Sequence, residues 1–107
     1  MGNASVTLTV QGQSPPAAPG RPTLTDLGGG SVRVVWSDRS NNEAGFDVQR
    51  EHRVGGSWTE TTIVATVGAN VTSIVDQPGI GRWRYRVRAF NAAGTSAWSS
   101  WTDIRLR

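Results

Sequence analysis

Apolar and polar residues alternate along most of this chain in short runs. A β-strand points successive side chains to opposite faces, so such alternation predicts a strand with one buried face. Glycine and proline separate the runs, as turns require. No window repeats apolar residues at the helical period, and the pattern is therefore typical of an all-β sandwich. Seven strands are predicted in the main part of the chain, at 23–25, 31–37, 46–53, 58–67, 71–76, 82–90 and 102–106.

The same alternation predicts which side chains form the core. On each strand the apolar face points inward, and the polar face meets solvent or a neighbouring strand. On the strand at 46–53, the inward residues are Phe46 and Val48. The outward residues of that strand are Asp47, Gln49 and Glu51. On three further strands the predicted inward residues are Val32, Val34, Trp36, Trp83, Tyr85, Val87, Ala89, Ile104 and Leu106.

An additional alternating run, at residues 4–10, stands apart from the others. It is followed by a stretch rich in proline, which forms a stiff and extended connector. We therefore predict an N-terminal arm, or the last strand of a preceding domain, at 1–14, a Pro-rich linker at 15–21 and one domain at 22–107. A free strand on such a tether is able to add to the sheet edge of a second copy, so self-association through residues 4–10 is one hypothesis.

Arginine occupies every second position of the strand at 82–90, so one face of that strand is a column of guanidinium groups. Two tryptophans, Trp98 and Trp101, follow shortly afterwards. A guanidinium stacks well on an indole ring, and each contact contributes about 0.5–2 kcal/mol. The pattern predicts a stack of arginine and tryptophan on the outer face of a central strand. The four arginines of the column are Arg82, Arg84, Arg86 and Arg88.

Composition narrows the classes of function. The 107 residues include no cysteine and only one histidine, His52, and the net charge is +3. No nucleophile elbow and no metal-ligating pair is present, so we predict that the chain is not an enzyme and binds no cofactor or metal. The modest charge argues against a nucleic-acid partner. No apolar run approaches the roughly 20 residues of a membrane span.

From Pro19 to Leu106 the residues resemble the fibronectin type III family. The resemblance rests on the proline-rich start, on Val34-Val35-Trp36, and on the stretch from Tyr85 to Ser96. It implies a seven-stranded immunoglobulin-like β-sandwich, here with an extra N-terminal strand. The loop and strand at 36–50 look like copies found in bacterial extracellular proteins, which implies a secreted or cell-surface location.

Two features depart from the family pattern. Trp83 stands where the family has a tyrosine whose hydroxyl bonds to nearby backbone, and an indole N–H is able to donate a similar bond. The leucine that fills that corner in the family is missing from its expected place, and Ile80 is its candidate substitute. Separately, Trp98-Ser99-Ser100-Trp101-Thr102 is similar to the Trp-Ser-x-Trp-Ser box of cytokine-receptor modules, in which the tryptophans interleave with arginines. We interpret it as the same physical device in a different protein.

These residues define a candidate interaction surface with two interpretations. The arginines either bind an anion, such as a sulfated polysaccharide, or pair with the outward side chains of the strand at 46–53. We favour pairing, because opposite charges on neighbouring strands neutralise each other. Trp58 has no evident arginine partner and is the better candidate for stacking on a sugar ring. The surface comprises Arg84, Arg86, Arg88, Trp98, Trp101 and Trp58.

The loop at 38–43 has oxygen-bearing side chains that resemble part of a calcium loop. Glu43 stands where that loop needs glycine, and Gln49 stands where it needs an acid. We therefore expect these side chains to hydrogen-bond to their own loop instead.

The function implied by the resemblance is non-catalytic: a spacer, display or protein-interaction module of a bacterial extracellular multidomain protein. Its partners would be neighbouring domains or other proteins, and a monomer is favoured. Two alternatives remain open. One is a structural subunit of a virion or filament that assembles through the N-terminal strand. The other is a carbohydrate-binding accessory module, with a polysaccharide as its partner.

Overall fold

The computed structural model describes residues 13–107, and these residues form eight β-strands. They contain no helix, and so none that is long and apolar enough to cross a membrane. The strand predicted at 4–10 lies outside the described residues. The strands are β1 (Thr23–Gly28), β2 (Ser31–Val35), β3 (Gly45–Val54), β4 (Ser57–Gly68), β5 (Ser73–Asp76), β6 (Gly81–Asn91), β7 (Gly94–Thr95) and β8 (Thr102–Leu106).

The strands form two antiparallel sheets that pack as a sandwich. The smaller sheet has the order β1-β2-β5. The larger sheet has the order β4-β3-β6-β7, and β8 also pairs with β6. All seven predicted strands are present, and the prediction of an all-β sandwich is confirmed. The eighth strand, β7, has two residues, which is too short to leave a periodic pattern in the sequence.

The core lies between the sheets and consists of the predicted inward residues. Val32 and Val34 on β2 face Phe46 and Val48 on β3, and all four side chains are fully buried. Trp36 packs edge-on against Phe46, with ring centroids 5.6 Å apart. Burial of each such side chain contributes about 1.5–3 kcal/mol to folding. Leu106 is buried and Ile104 is half-buried against the same cluster, so β8 closes the core as predicted.

The described part of the Pro-rich segment lies against the sandwich. Pro16, Pro19 and Pro22 are buried, and the Gly20 N–H donates to the Ser37 carbonyl at 3.1 Å. The Ser14 carbonyl accepts hydrogen bonds from the side-chain amides of Asn42 and Asn91. The proposed boundary between a linker at 15–21 and a domain at 22–107 stays a prediction.

The turn before β6 differs from the expectation in one respect. The Trp83 indole N–H donates to the Gly79 carbonyl at 3.0 Å, as the tyrosine analogy requires. Ile80 was expected to plug this corner, and that expectation is wrong because its side chain is 70% exposed. Glycines on both sides of Ile80 have positive φ values and turn it toward solvent. The ring of His52 occupies the corner instead, stacked on Trp83 with centroids 3.9 Å apart.

Candidate functional site

Strand register brings the arginine column beside the outward residues of β3. β3 and β6 pair antiparallel, with Asp47 opposite Arg88 and Glu51 opposite Arg84. Arg86 lies between them, opposite Gln49. Directly opposed residues on one face of a sheet are close enough for their side chains to interact. The alternation of both strands therefore builds a row of cross-strand pairs.

Two of these pairs are ion pairs, as expected from the sequence. Arg84 donates from Nε to Glu51 Oε1 at 2.8 Å, and Arg88 donates from Nε to Asp47 Oδ2 at 3.0 Å. Threonine hydroxyls of β4 hydrogen-bond to the same carboxylates, Thr61 to Glu51 and Thr66 to Asp47. Each carboxylate is thus held from both neighbouring strands.

The central arginine has a different partner. Arg86 donates from Nε to the amide oxygen of Gln49 at 2.7 Å. Within residues 13–107, no carboxylate lies within ion-pair distance of Arg86. An amide oxygen accepts a hydrogen bond but carries no negative charge. Pairing therefore neutralises Arg84 and Arg88 and leaves the charge of Arg86 without a direct counter-charge.

Arg82 takes no part in the pairs with β3. It forms an ion pair with Asp103 on β8, its Nε donating to Oδ2 at 3.0 Å. That hydrogen bond is the largest cause of the lowered pKa of Asp103. The fourth arginine of the column thus secures the edge of the sheet formed by β8.

Trp98 and Trp101 each lie between two arginines. The guanidinium carbons of Arg86 and Arg88 lie 4.7 and 4.4 Å from the Trp98 ring centroid. Those of Arg84 and Arg86 lie 4.2 and 4.3 Å from the Trp101 ring centroid. Both faces of the Arg86 guanidinium are therefore covered by indole rings. The arrangement holds the guanidinium planes in fixed positions along the strand.

Serines set the spacing that makes this interleaving possible. The Ser96 N–H donates to the Ala89 carbonyl, and the Ser96 hydroxyl accepts from the Ala89 N–H. Ser99 makes the same two contacts with Val87. The segment at 96–101 therefore advances three residues, from Ser96 to Ser99, while β6 advances two, from Ala89 to Val87. Tryptophans three positions apart consequently fit between arginines two positions apart.

Trp58 is the one candidate whose expected surroundings were wrong. It was predicted to lack an arginine partner, but Arg84 lies 4.5 Å from its ring centroid and Arg53 lies 5.2 Å away. The β3–β4 hairpin places Trp58 opposite Arg53, and the twist of the sheet lets Arg84 reach the ring. The stack described here has seven members, in the order Arg53, Trp58, Arg84, Trp101, Arg86, Trp98 and Arg88.

Electrostatics within the stack follow from these contacts. Burial opposes ionisation of Glu51, but hydrogen bonds from Thr61 and Arg84 outweigh it and lower the pKa of that carboxyl. Burial also lowers the pKa of the Arg86 guanidinium, the Glu51 charge opposes this, and the charges of Arg84 and Arg88 add to it. An arginine stays protonated under all ordinary conditions, so Arg86 remains a cation.

The loop at 38–43 is tied together by its own side chains, as expected. Asp38 accepts from the Ser40 N–H at 3.0 Å, and Glu43 accepts from the Ser40 hydroxyl at 2.8 Å. Glu43 also accepts from the Asn70 N–H. Burial opposes its ionisation, but these bonds outweigh it and lower the Glu43 pKa. In the described part of the chain, no three acidic, histidine or cysteine side chains form a metal-binding group.

Sequence reasoning did not find three residues of this surface. Arg53 extends the stack, and Ser96 and Ser99 position the tryptophans. A signal for the serines was present, because each stands two residues before a stacked tryptophan. The signal for Arg53 was its place across the Gly55-Gly56 turn from Trp58.

Comparison with known proteins gives the fold a name. No family model matches this chain. The chain is 28% identical to part of the titin homolog of Caenorhabditis elegans, in a match that covers 96% of this chain and 1% of that protein. It therefore spans a very small part of the length of that relative.

Two solved structures show the same architecture. The fibronectin type III domain of human fibronectin type III domain containing protein 3 superposes with a TM-score of 0.65 and 19% identity, over 89% of each chain. The FN1-FN3 domains of chicken CNTN1 give a TM-score of 0.71 and 20% identity, over 88% of this chain and 33% of that one. Similarity at this level of identity shows the fold, and the chain accordingly has the fibronectin type III fold.

Proposed function

We propose that this chain is a non-catalytic spacer module of a bacterial extracellular multidomain protein, with display or protein interaction as a second capacity. The observation that carries the proposal is the position of the first and last residues of the described segment, 13–107. Ser14 is bound by Asn91, the last residue of β6, whereas Leu106 pairs with Gly81, the first residue of β6. The described segment thus begins at one end of the sandwich and ends at the other.

The length of β6 and the attachment of the first described segment suit such a role. This strand has 11 residues, which at about 3.3 Å per residue separates its ends by ~35 Å. Buried prolines and the two asparagine bonds to Ser14 hold the first described segment against the domain. A spacer needs this fixed geometry, because a loosely attached segment would let the distance and orientation between neighbouring domains vary.

Other observations support non-catalytic and extracellular roles. The acids on the outer face of the larger sheet are engaged with arginines and threonines. The CNTN1 structure holds consecutive domains of this type. The bacterial and extracellular parts of the proposal rest on the resemblance of the loop and strand at 36–50.

The alternative functions receive less support. Sugar binding by ring stacking needs a free indole face, but Trp58, Trp98 and Trp101 each lie between two guanidinium groups. Self-assembly through residues 4–10 concerns a segment outside the described residues, and it stays a prediction.

Distance measurement tests the spacer role. Because the chain lacks cysteine, Ser14→Cys and Arg107→Cys place one dye at each end of the domain. Single-molecule energy transfer is expected to show one narrow distribution, with the labelled positions separated by ~35 Å plus the dye linkers. Asn42→Ala combined with Asn91→Ala should broaden it, whereas Asn41→Ala on the same loop should not. A broad distribution in the otherwise unchanged chain would refute the proposed spacer geometry.

A further inference from the structure

One of the three stacked arginines of β6 lacks a carboxylate partner among the described residues. Of the three stacked arginines on β6, two pair with carboxylates and Arg86 pairs only with the amide of Gln49. Three positive charges meet two negative charges along this row, which leaves an excess of +1 at its centre. Each flanking pair shows that the row accommodates a carboxylate opposite an arginine.

The Arg86 guanidinium is also held with one edge available. Trp98 and Trp101 cover its two faces, and Gln49 takes the Nε–H. Among residues 13–107, its terminal Nη groups have no hydrogen-bond partner. A guanidinium carries five N–H donors, so four remain for a ligand. Because stacking fixes its plane in advance, binding an anion costs little conformational entropy.

We propose that Arg86 is a docking point for a carboxylate side chain of an acidic segment on a partner protein. The chemistry is that of the flanking pairs, in which a single carboxylate accepts charge-assisted hydrogen bonds from one stacked arginine. This lateral contact is independent of the spacer geometry, since it uses the sheet face and neither end of the domain.

An acidic protein segment fits this site better than a sulfated polysaccharide. A polymer with closely spaced sulfates gains affinity from several uncompensated cations in a row. Here Arg84 and Arg88, on either side of Arg86, are already neutralised by Glu51 and Asp47. Arg53 also has no ion pair among the described residues, but the paired Arg84 separates it from Arg86 along the stack. A single open guanidinium at the centre of the row matches a single carboxylate.

The sharpest test changes Gln49 and leaves the stack intact. Gln49→Glu supplies the missing carboxylate, so Arg86 becomes paired like its neighbours. Arg33→Gln is the matched control, because it changes the net charge by the same amount from an exposed position on β2 of the other sheet. The probe is blocked hexaglutamate at low salt, with hexaglutamine as its neutral counterpart. The readout is the NMR shift of the Trp98 and Trp101 indole N–H signals.

Hexaglutamate is expected to shift both indole signals in the unchanged protein and in Arg33→Gln, and hexaglutamine is not. Gln49→Glu should weaken the binding about tenfold, since a charge-assisted hydrogen bond is lost. Equal binding by Gln49→Glu and Arg33→Gln would overturn the proposal, as would no shift in the unchanged protein. A response to heparin without one to hexaglutamate would overturn it in favour of a polysaccharide site. Thermal unfolding confirms that both variants fold, and the distance distribution between the ends reports on the spacer role separately.

Discussion

The two faces of β6 contribute to the structure in different ways, although they belong to one strand. On the inner face, Trp83, Tyr85, Val87 and Ala89 are between 0 and 6% exposed and pack into the core. On the outer face, half-buried arginines alternate with indole rings and carboxylates. On the inner face, removal of apolar area from water stabilises the fold, and this contribution is large and non-directional. On the outer face, each contact contributes less to stability, but it fixes a particular side chain in a particular plane.

The comparison separates the face that contributes most to stability from the face that carries the proposed docking point. Apolar packing removes its side chains from the surface, so it leaves none of them exposed to bind a partner. The stack instead orders polar groups at the surface, and an unmatched group such as Arg86 is thereby held in a defined position. Substitutions on the two faces should therefore differ in size and in what they change.

The largest difference is expected between two tryptophans on opposite faces. Trp83→Ala should lower the free energy of unfolding by about 3–5 kcal/mol, because Trp83 is buried and its removal opens a cavity in the core. Trp101→Ala should lower it by about 1–3 kcal/mol, since it removes two stacking contacts from a half-buried site. Urea unfolding followed by circular dichroism measures both, and Trp83→Phe serves if the alanine variant does not fold. An equal or larger loss in Trp101→Ala would contradict this division between the faces.

A second prediction concerns the polar contact that joins the two sheets. The Tyr85 hydroxyl donates to Asp76 Oδ2 at 2.7 Å, and Arg50 donates to the same oxygen at 2.8 Å. Burial and then the hydrogen bond to Asp76 raise the pKa of Tyr85, so the hydroxyl stays a donor. Tyr85→Phe should lower the free energy of unfolding by about 1–3 kcal/mol.

The expected cause is the hydrogen bond and not the packing of the ring. In a double-mutant cycle with Asp76→Ala, the double variant should therefore lose less stability than the sum of the losses in the two single variants. Strict additivity would show that the Tyr85 hydroxyl contributes to stability independently of Asp76.

The sequence predicted the inner face better than the outer one, for a physical reason. Strand alternation alone selects Phe46 and Val48 as core residues, and it requires no knowledge of which strands are neighbours. The partners of Trp58 depend on strand order and twist, which is why its arginine neighbours were missed. The role of Ser99 depends on a segment that advances three residues for every two of β6, a register that no local pattern reveals.

The smallest expected effect tests the charges of the outer face through pH. The pKa of Glu51 is held below its usual value of 4.5, so the unfolded chain binds this proton more readily than the folded chain. The stability contributed by Glu51 is therefore present above about pH 4.5 and is lost as the pH falls through the lower, folded value. Glu51→Gln should cost about 1 kcal/mol at neutral pH and make the acid decline shallower.

Urea unfolding at several pH values between about 3 and 7 measures this effect, in the range where carboxylates take up protons. Some decline should persist in Glu51→Gln, because the pKa values of Glu43 and Asp103 are lowered too. Asp26→Asn is the charge-matched control, since Asp26 is exposed on β1 of the other sheet and an asparagine oxygen also accepts the bond from the Gly28 N–H. An acid decline equally steep in both variants would mean that the Glu51–Arg84 pair contributes nothing to the pH dependence, and that the outer face stabilises the fold through its pH-independent stacking alone.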